Sequence, residues 1–332
     1  MTVGHHDRSL SRPVHNRIVM IAGRLTAISA LALMAFVELR QSMNAADKLS
    51  SSTYGRNELV IEAHELKKLP SRPEARIVLD VRPLEKFQEL HFNDAVHIDA
   101  ADWSKGFGDG LNSGAWGRRF GEIGIGPDTE VIVYDDRAGQ DAARIWWYLK
   151  YWGVNQARLV NGGWRAIQAQ GLPTARGAGR LPTATPFSST PLATRRIDLA
   201  SLVAAHKAGR LGTDDTESLQ LLDVRSEKEF RGEQITEGLR PGTIPGARHL
   251  EWSDLVDSST DCFLPTAEVV TLLKARGIEL NRPVVAFSNT RGRSLSIAFP
   301  LELAGVIQTR IFDAGLKAWA SDPNNPLIVQ KP

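Results

Sequence analysis

Residues 284–294 read Val-Val-Ala-Phe-Ser-Asn-Thr-Arg-Gly-Arg-Ser and set the chemistry open to this chain. A short apolar run, Val284–Phe287, enters a polar loop carrying a glycine and two arginines, and an apolar periodic stretch begins at Leu295. A buried strand feeding a tight loop that opens a helix gathers backbone N–H groups, and the helix N-terminus favours negative charge. The segment therefore suits an anion. Ser288 stands at the mouth of the loop, followed by Asn289, Thr290, Arg291, Gly292, Arg293 and Ser294 as the candidate anion-contacting residues. The guanidiniums of Arg291 and Arg293 could clamp a sulfonate, phosphate or carboxylate bidentately. The alternative for Arg293 is an ion pair with a core-edge carboxylate such as Asp223. A serine hydroxyl stays un-ionised in such a field and needs a neighbouring general base to act as a nucleophile. None of the eight histidines lies in the loop. His97 and His249 occupy matching motif positions, which points to a structural role.

The elements that must position this loop form an internal repeat. Ile77-Val-Leu-Asp80-Val-Arg82 recurs as Leu221-Leu-Asp223-Val-Arg225, and Val131-Ile-Val-Tyr-Asp135 recurs as Val284-Val-Ala-Phe-Ser288. Leu159-Val-Asn-Gly-Gly163 matches Ile311-Phe-Asp-Ala-Gly315, and the second copy has gained nine residues within 233–242. A repeat of about 150 residues is domain-sized, so this is a duplicated domain and not a solenoid. Strands are expected at Ile77–Val81, Val131–Tyr134 and Arg158–Val160, and again at Gln220–Val224, Val284–Phe287 and Thr309–Phe312. Helices are expected at Asp141–Trp152, Trp164–Gln170, Thr266–Arg276 and Arg293–Ala304. This alternation predicts a parallel sheet covered on both faces. Trp146, Trp147 and Trp152 fall at helical spacing in a largely apolar segment and read as core. Gly177–Thr194, rich in Gly, Pro, Ser and Thr, reads as a linker.

Composition bounds the partners. At 332 residues, 42% hydrophobic and 23% charged, the chain has room for two globular domains. The net charge of +2 is partly local: residues 1–40 carry five arginines against Asp7 and Glu38, leaving 35 basic and 36 acidic residues elsewhere. That balance argues against a nucleic-acid partner, which needs a sustained basic face. Cys262 is the single cysteine, so neither an internal disulfide nor a thiolate metal cluster can form. Leu25–Val37 is a mostly apolar run of 13 residues preceded by Arg17 and Arg24. It suits a signal peptide or N-terminal anchor over residues 1–45 better than a full span, which wants about 20 apolar residues. The expected location is periplasmic, exported or membrane-anchored, with membrane contact only through this segment. The alternative is a start at Met43 and a cytoplasmic protein.

The ordered motifs resemble tandem-domain rhodaneses, the thiosulfate and mercaptopyruvate sulfurtransferases, from about Leu59 to Pro326. They are Asp80-Val-Arg82 and Asp223-Val-Arg225; Gly242-Thr-Ile-Pro-Gly-Ala247 with His249-Leu250; Asn161-Gly-Gly-Trp164; and Trp319-Ala-Ser-Asp-Pro323. The resemblance implies an α/β fold of two tandem rhodanese-like domains, each a parallel sheet covered by helices on both faces. A non-catalytic copy would span 59–176, a linker 177–195, and the copy with the active-site loop 196–332. It implies Asp at the loop mouth of the silent copy, met by Asp135, and a cysteine in the second copy, where this chain has Ser288. Asp223 and Arg225 would support the loop, with no cofactor and no metal. The family normally has an Asp-Gly-Ser-Trp type of turn where this chain has Asp313-Ala-Gly-Leu316. Arg291 stands where a glycine would ease a positive φ, a role Gly292 is placed to take.

Sulfur transfer in this family runs through a cysteine persulfide. A loop amide nest can lower a cysteine pKa and populate the thiolate, whereas serine cannot form the S–S bond. The expected function is therefore a rhodanese-type sulfurtransferase relative, weak or inactive, acting as an anion-binding or regulatory module. Its partner would be a small thiosulfate-like sulfur anion or another oxyanion, with a thiol-bearing protein as a possible second partner. Two other routes stay open: sulfur transfer by way of Cys262 or a substrate-held sulfur, and a Ser288-based hydrolase or phosphatase-like activity.

Overall fold

The computed structural model describes residues 54–69, 75–213 and 215–329; the segment 1–45 read as a signal or anchor lies outside them. In the first copy, β1 (Val60–Ile61), β2 (Arg76–Asp80), β3 (Val96–His97), β4 (Glu130–Tyr134) and β5 (Ala157–Val160) form one sheet in the order β1-β5-β4-β2-β3, every neighbour parallel. The second copy repeats the order with β6 (Gln220–Asp223), β7 (Ala247–His249), β8 (Val284–Phe287) and β9 (Thr309–Ile311), arranged β9-β8-β6-β7. A single parallel bridge from Arg196 to Ile311 takes the place of β1. The central strands are near-continuous apolar runs because helices flank the sheets, leaving no wet side to demand alternation. The expected strands and helices all appear, with ends shifted by at most two residues.

The copies meet through the helices that follow their two loops, α1 (Gln140–Tyr151) and α2 (Arg291–Leu303). Trp146 of α1 meets Phe299 of α2 edge to face, with ring centroids 5.1 Å apart, and Ser296 Oγ donates to Gln140 O at 2.8 Å. Trp146, Trp147 and Trp152 are completely buried, as their spacing predicts. Replacing such a tryptophan by alanine costs about 3–5 kcal/mol, so this seam fixes how the two loops face the interface. The linker is extended but not loose. Arg180 N, Thr185 N, Thr190 N and Leu192 N donate to carbonyls of Ala95, Gly121, Trp152 and Tyr151, lacing it along the first copy. Among the described residues, no helix is long and apolar enough to cross a membrane.

Candidate functional site

The second copy's loop begins where β8, buried at all four residues and paired on both sides, runs out. Ser288 is only 1% exposed. Its carbonyl accepts from Leu316 N at 2.7 Å and that of Asn289 from Lys317 N at 3.2 Å, so the turn after β9 holds the loop from behind. Gly315 makes this approach possible. Its φ is 71°, and a Cβ there would lie 2.6 Å from Asn289 O. The Asp313-Ala-Gly-Leu316 turn thus keeps the glycine that the close contact requires. Arg291 and Gly292, in contrast, are the first two residues of α2 and neither has a positive φ, so the expected glycine role in the loop does not arise.

Inside the loop, the Ser288 hydroxyl donates to Thr290 O and accepts from Ser294 N at 3.3 Å. Thr290, the N-cap of α2, supplies no side-chain cap. Asn289 is pinned on both sides: Arg225 Nη1 donates to its Oδ1 at 3.2 Å, and its Nδ2 donates to Glu229 Oε1 at 2.7 Å and Thr236 Oγ1 at 2.8 Å. Thr236 belongs to the inserted stretch 233–242, which thereby reaches the loop. Arg225 itself is held by Asp223, Nη2 to Oδ2 at 2.6 Å. The guanidinium of Arg293 closes on both Glu229 oxygens, at 2.6 and 3.0 Å. Its carboxylate partner is thus Glu229 and not Asp223. Burial raises the Glu229 carboxyl, but hydrogen bonds from Arg293 and Ser226 outweigh it and hold the group at about 2. Glu229 escapes sequence reasoning because it reads as one charge in an exposed-looking Glu-Lys-Glu run.

Arg291 points the other way, into the first copy. Its Nη2 donates to Gly108 O at 2.8 Å and its guanidinium lies 4.9 Å from the Phe107 ring centroid. His97 and His249 each place Nε2 against the carbonyl of the arginine two residues beyond the buried aspartate, Arg82 at 2.8 Å and Arg225 at 2.7 Å. Both are structural props. Cys262 is 8% exposed, and burial pushes its thiol to about 11. The thiol lies against Gly162, in the first copy's turn, where an added Cβ would meet Sγ at 3.1 Å. Among the described residues, no group of three or more His, Cys, Asp or Glu is placed to hold a metal.

The first copy carries a carboxylate at the equivalent position, in a loop that runs two residues further before its helix begins. Asp135 is 1% exposed, and its carboxylate accepts from the amides of Arg137 (3.1 Å), Gly139 (2.8 Å), Asp141 (2.7 Å) and Ala142 (2.9 Å). Burial raises this carboxyl, but four converging donors suit the ionised form. The equivalent position in the second copy carries a neutral hydroxyl that collects one amide.

Two parallel α/β domains in tandem, each with a loop between a central strand and an interface helix, define a duplicated-domain architecture. The profile of the rhodanese-like domain matches residues 62–170 and 209–322, and the chain belongs to that family. It is 29% identical over 273 residues to the thiosulfate sulfurtransferase of Azotobacter vinelandii, covering 81% of this chain and 96% of that one. It is 26% identical over 210 residues to the 3-mercaptopyruvate sulfurtransferase of Escherichia coli, covering 62% and 70%. The wild-type structure of EanB shares the fold, with TM-score 0.71 and 20% identity, over 83% of this chain and 70% of that one.

Proposed function

We propose that this rhodanese-family protein binds a thiosulfate-like sulfur anion, or another oxyanion, at the Ser288–Ser294 loop and transfers sulfur weakly or not at all. It would act as a binding or regulatory module, with a thiol-bearing protein as a possible second partner, and be exported or anchored through its N-terminal segment. The observation that carries the reading is the pair of loops. Asp135 draws four amides onto a carboxylate, while Ser288, at the equivalent position, brings no charge to the start of its helix. A helix N-terminus favours an anion. A hydroxyl cannot carry sulfane sulfur, and no base stands against it: Ser288 Oγ donates to a backbone carbonyl. This also speaks against Ser288-based hydrolysis. Cys262, buried beside the first copy's turn with its thiol held protonated, is poorly placed for the alternative sulfur route.

Calorimetric titration with thiosulfate tests the reading. The wild type is expected to bind and Ser288→Asp, which copies the first loop, to lose binding. Equal binding by both proteins would overturn it.

A further inference from the structure

In both copies the residue after the loop mouth is tied to the helix that follows the Asp-Val-Arg motif, but by different chemistry. In the first copy Asp136 pairs with Lys86 of the helix Leu84–Glu89, Oδ2 to Nζ at 2.5 Å. At the equivalent places the second copy has Asn289 and, in the helix Glu227–Arg231, Glu229; Asn289 Nδ2 donates to Glu229 Oε1 at 2.7 Å. A neutral amide replaces the ion pair, accepting from Arg225 and donating to both Glu229 and Thr236. An ionised aspartate at 289 could not donate and a lysine could not accept, so the full set of contacts requires an amide.

Thr236 comes from the stretch that the second copy has gained, and that stretch is fixed at both ends. Glu233 N and Gln234 N donate to Lys228 O at 2.8 and 3.0 Å. Arg240 reaches the carbonyls of Ala320, Asp322 and Asn325 at 3.1, 2.9 and 2.8 Å. Between these anchors, Leu239 N closes a turn on Thr236 O at 3.0 Å, with the Thr236 hydroxyl set against Asn289 at 2.8 Å. Thr236 is exposed, so it adds little to the core. The Asn289 carbonyl is held from the other side by Lys317 N. Backbone and side chain of the first residue after Ser288 are thus both fixed where the loop begins.

We infer that Thr236 is a positioning residue for this loop: through Asn289 it holds Ser288–Ser294 in the arrangement that receives an oxyanion. A neutral hydroxyl brings no charge to the site. Its effect is on the share of molecules whose loop is receptive, and apparent affinity scales with that share. The inference rests on the anion-binding reading above.

Calorimetric titration of the full chain with thiosulfate, paired with hydrogen exchange at 289–293 in the ligand-free protein, tests it on Thr236→Val and Thr236→Ser. Thr236→Val should bind about fivefold more weakly than the wild type, the contribution of one net hydrogen bond, and exchange faster at 289–293. Thr236→Ser keeps the hydroxyl and should restore both, while exchange across β8 stays the same in all three proteins. Wild-type affinity in Thr236→Val would overturn the inference, and so would unchanged exchange at 289–293. A Thr236→Ser protein as weak as Thr236→Val would overturn it too, because the hydroxyl would then not be the cause. Failure of the wild type to bind thiosulfate would instead remove the anion-binding reading. The exchange comparison then decides the positioning role alone, faster exchange in Thr236→Val sustaining it and equal exchange overturning it.

Discussion

Asp135 and Ser288 stand at the same point of two copies of one loop and differ in the amides they collect: four for the carboxylate, one for the hydroxyl. The duplication therefore contains its own comparison. One copy has a carboxylate fixed in the chain, and the other has a neutral hydroxyl at the equivalent point of a loop that enters its helix two residues sooner.

Ser288→Asp should stabilise the fold. A carboxylate reaching uncapped amides at the start of α2 is worth about 0.5–2 kcal/mol. Thermal unfolding would show a higher Tm in the variant and no further rise with thiosulfate, whereas the wild type should rise. A lower Tm for Ser288→Asp would mean the second loop cannot adopt the first loop's arrangement.

Glu229→Gln should loosen the loop from beneath. It weakens the bonds to Arg293 and Asn289 together and leaves a guanidinium facing a neutral amide. A loss of about 1–3 kcal/mol is expected in denaturant unfolding at pH 7. The carboxyl is depressed in the fold, so its contribution is fully present above its ordinary value near 4.5 and disappears as pH falls towards about 2. The gap between wild type and variant should close over that interval.

Much of the fold was legible in residue order. Paired Asp-Val-Arg motifs and runs such as Val284–Phe287 mark strands because a doubly covered sheet leaves them no polar face. The loop's location was legible for the same reason. Its wiring was not. Arg293 finds Glu229, 64 residues away, and Arg291 finds Gly108, 183 residues away. Neither pairing has a periodicity to betray it. The network at Asn161 was also hidden: Nδ2 donates to Tyr54 Oη and Glu62 Oε1, both at 2.9 Å, and Oδ1 accepts from Phe263 N at 3.0 Å. The motif that contains Asn161 marked only the resemblance, not these contacts.

That network carries a pH dependence of opposite sign. Burial raises the Glu62 carboxyl to about 7, despite the hydrogen bond from Asn161. Between about 4.5 and 7 the unfolded chain has lost a proton that the folded one retains. Stability should therefore fall as pH rises through this window. Glu62→Gln should flatten the profile, measured as Tm against pH; an unchanged slope would place the titration elsewhere.

Cys262 should react slowly with a thiol-specific disulfide reagent in the native protein and rapidly in denaturant, given its burial and raised pKa. Cys262→Ala should leave thiosulfate binding unchanged. Loss of binding in that variant would tie the thiol to the site.

The central claim is that an oxygen at position 288 removes sulfur transfer from the second copy. Thiosulfate:cyanide sulfur transfer by wild type and Ser288→Cys tests it most directly. The account predicts little or no turnover by the wild type and a rise of at least about a hundredfold in the variant, since a missing covalent nucleophile costs orders of magnitude in rate. Wild-type turnover comparable to that of a cysteine-bearing sulfurtransferase would contradict it.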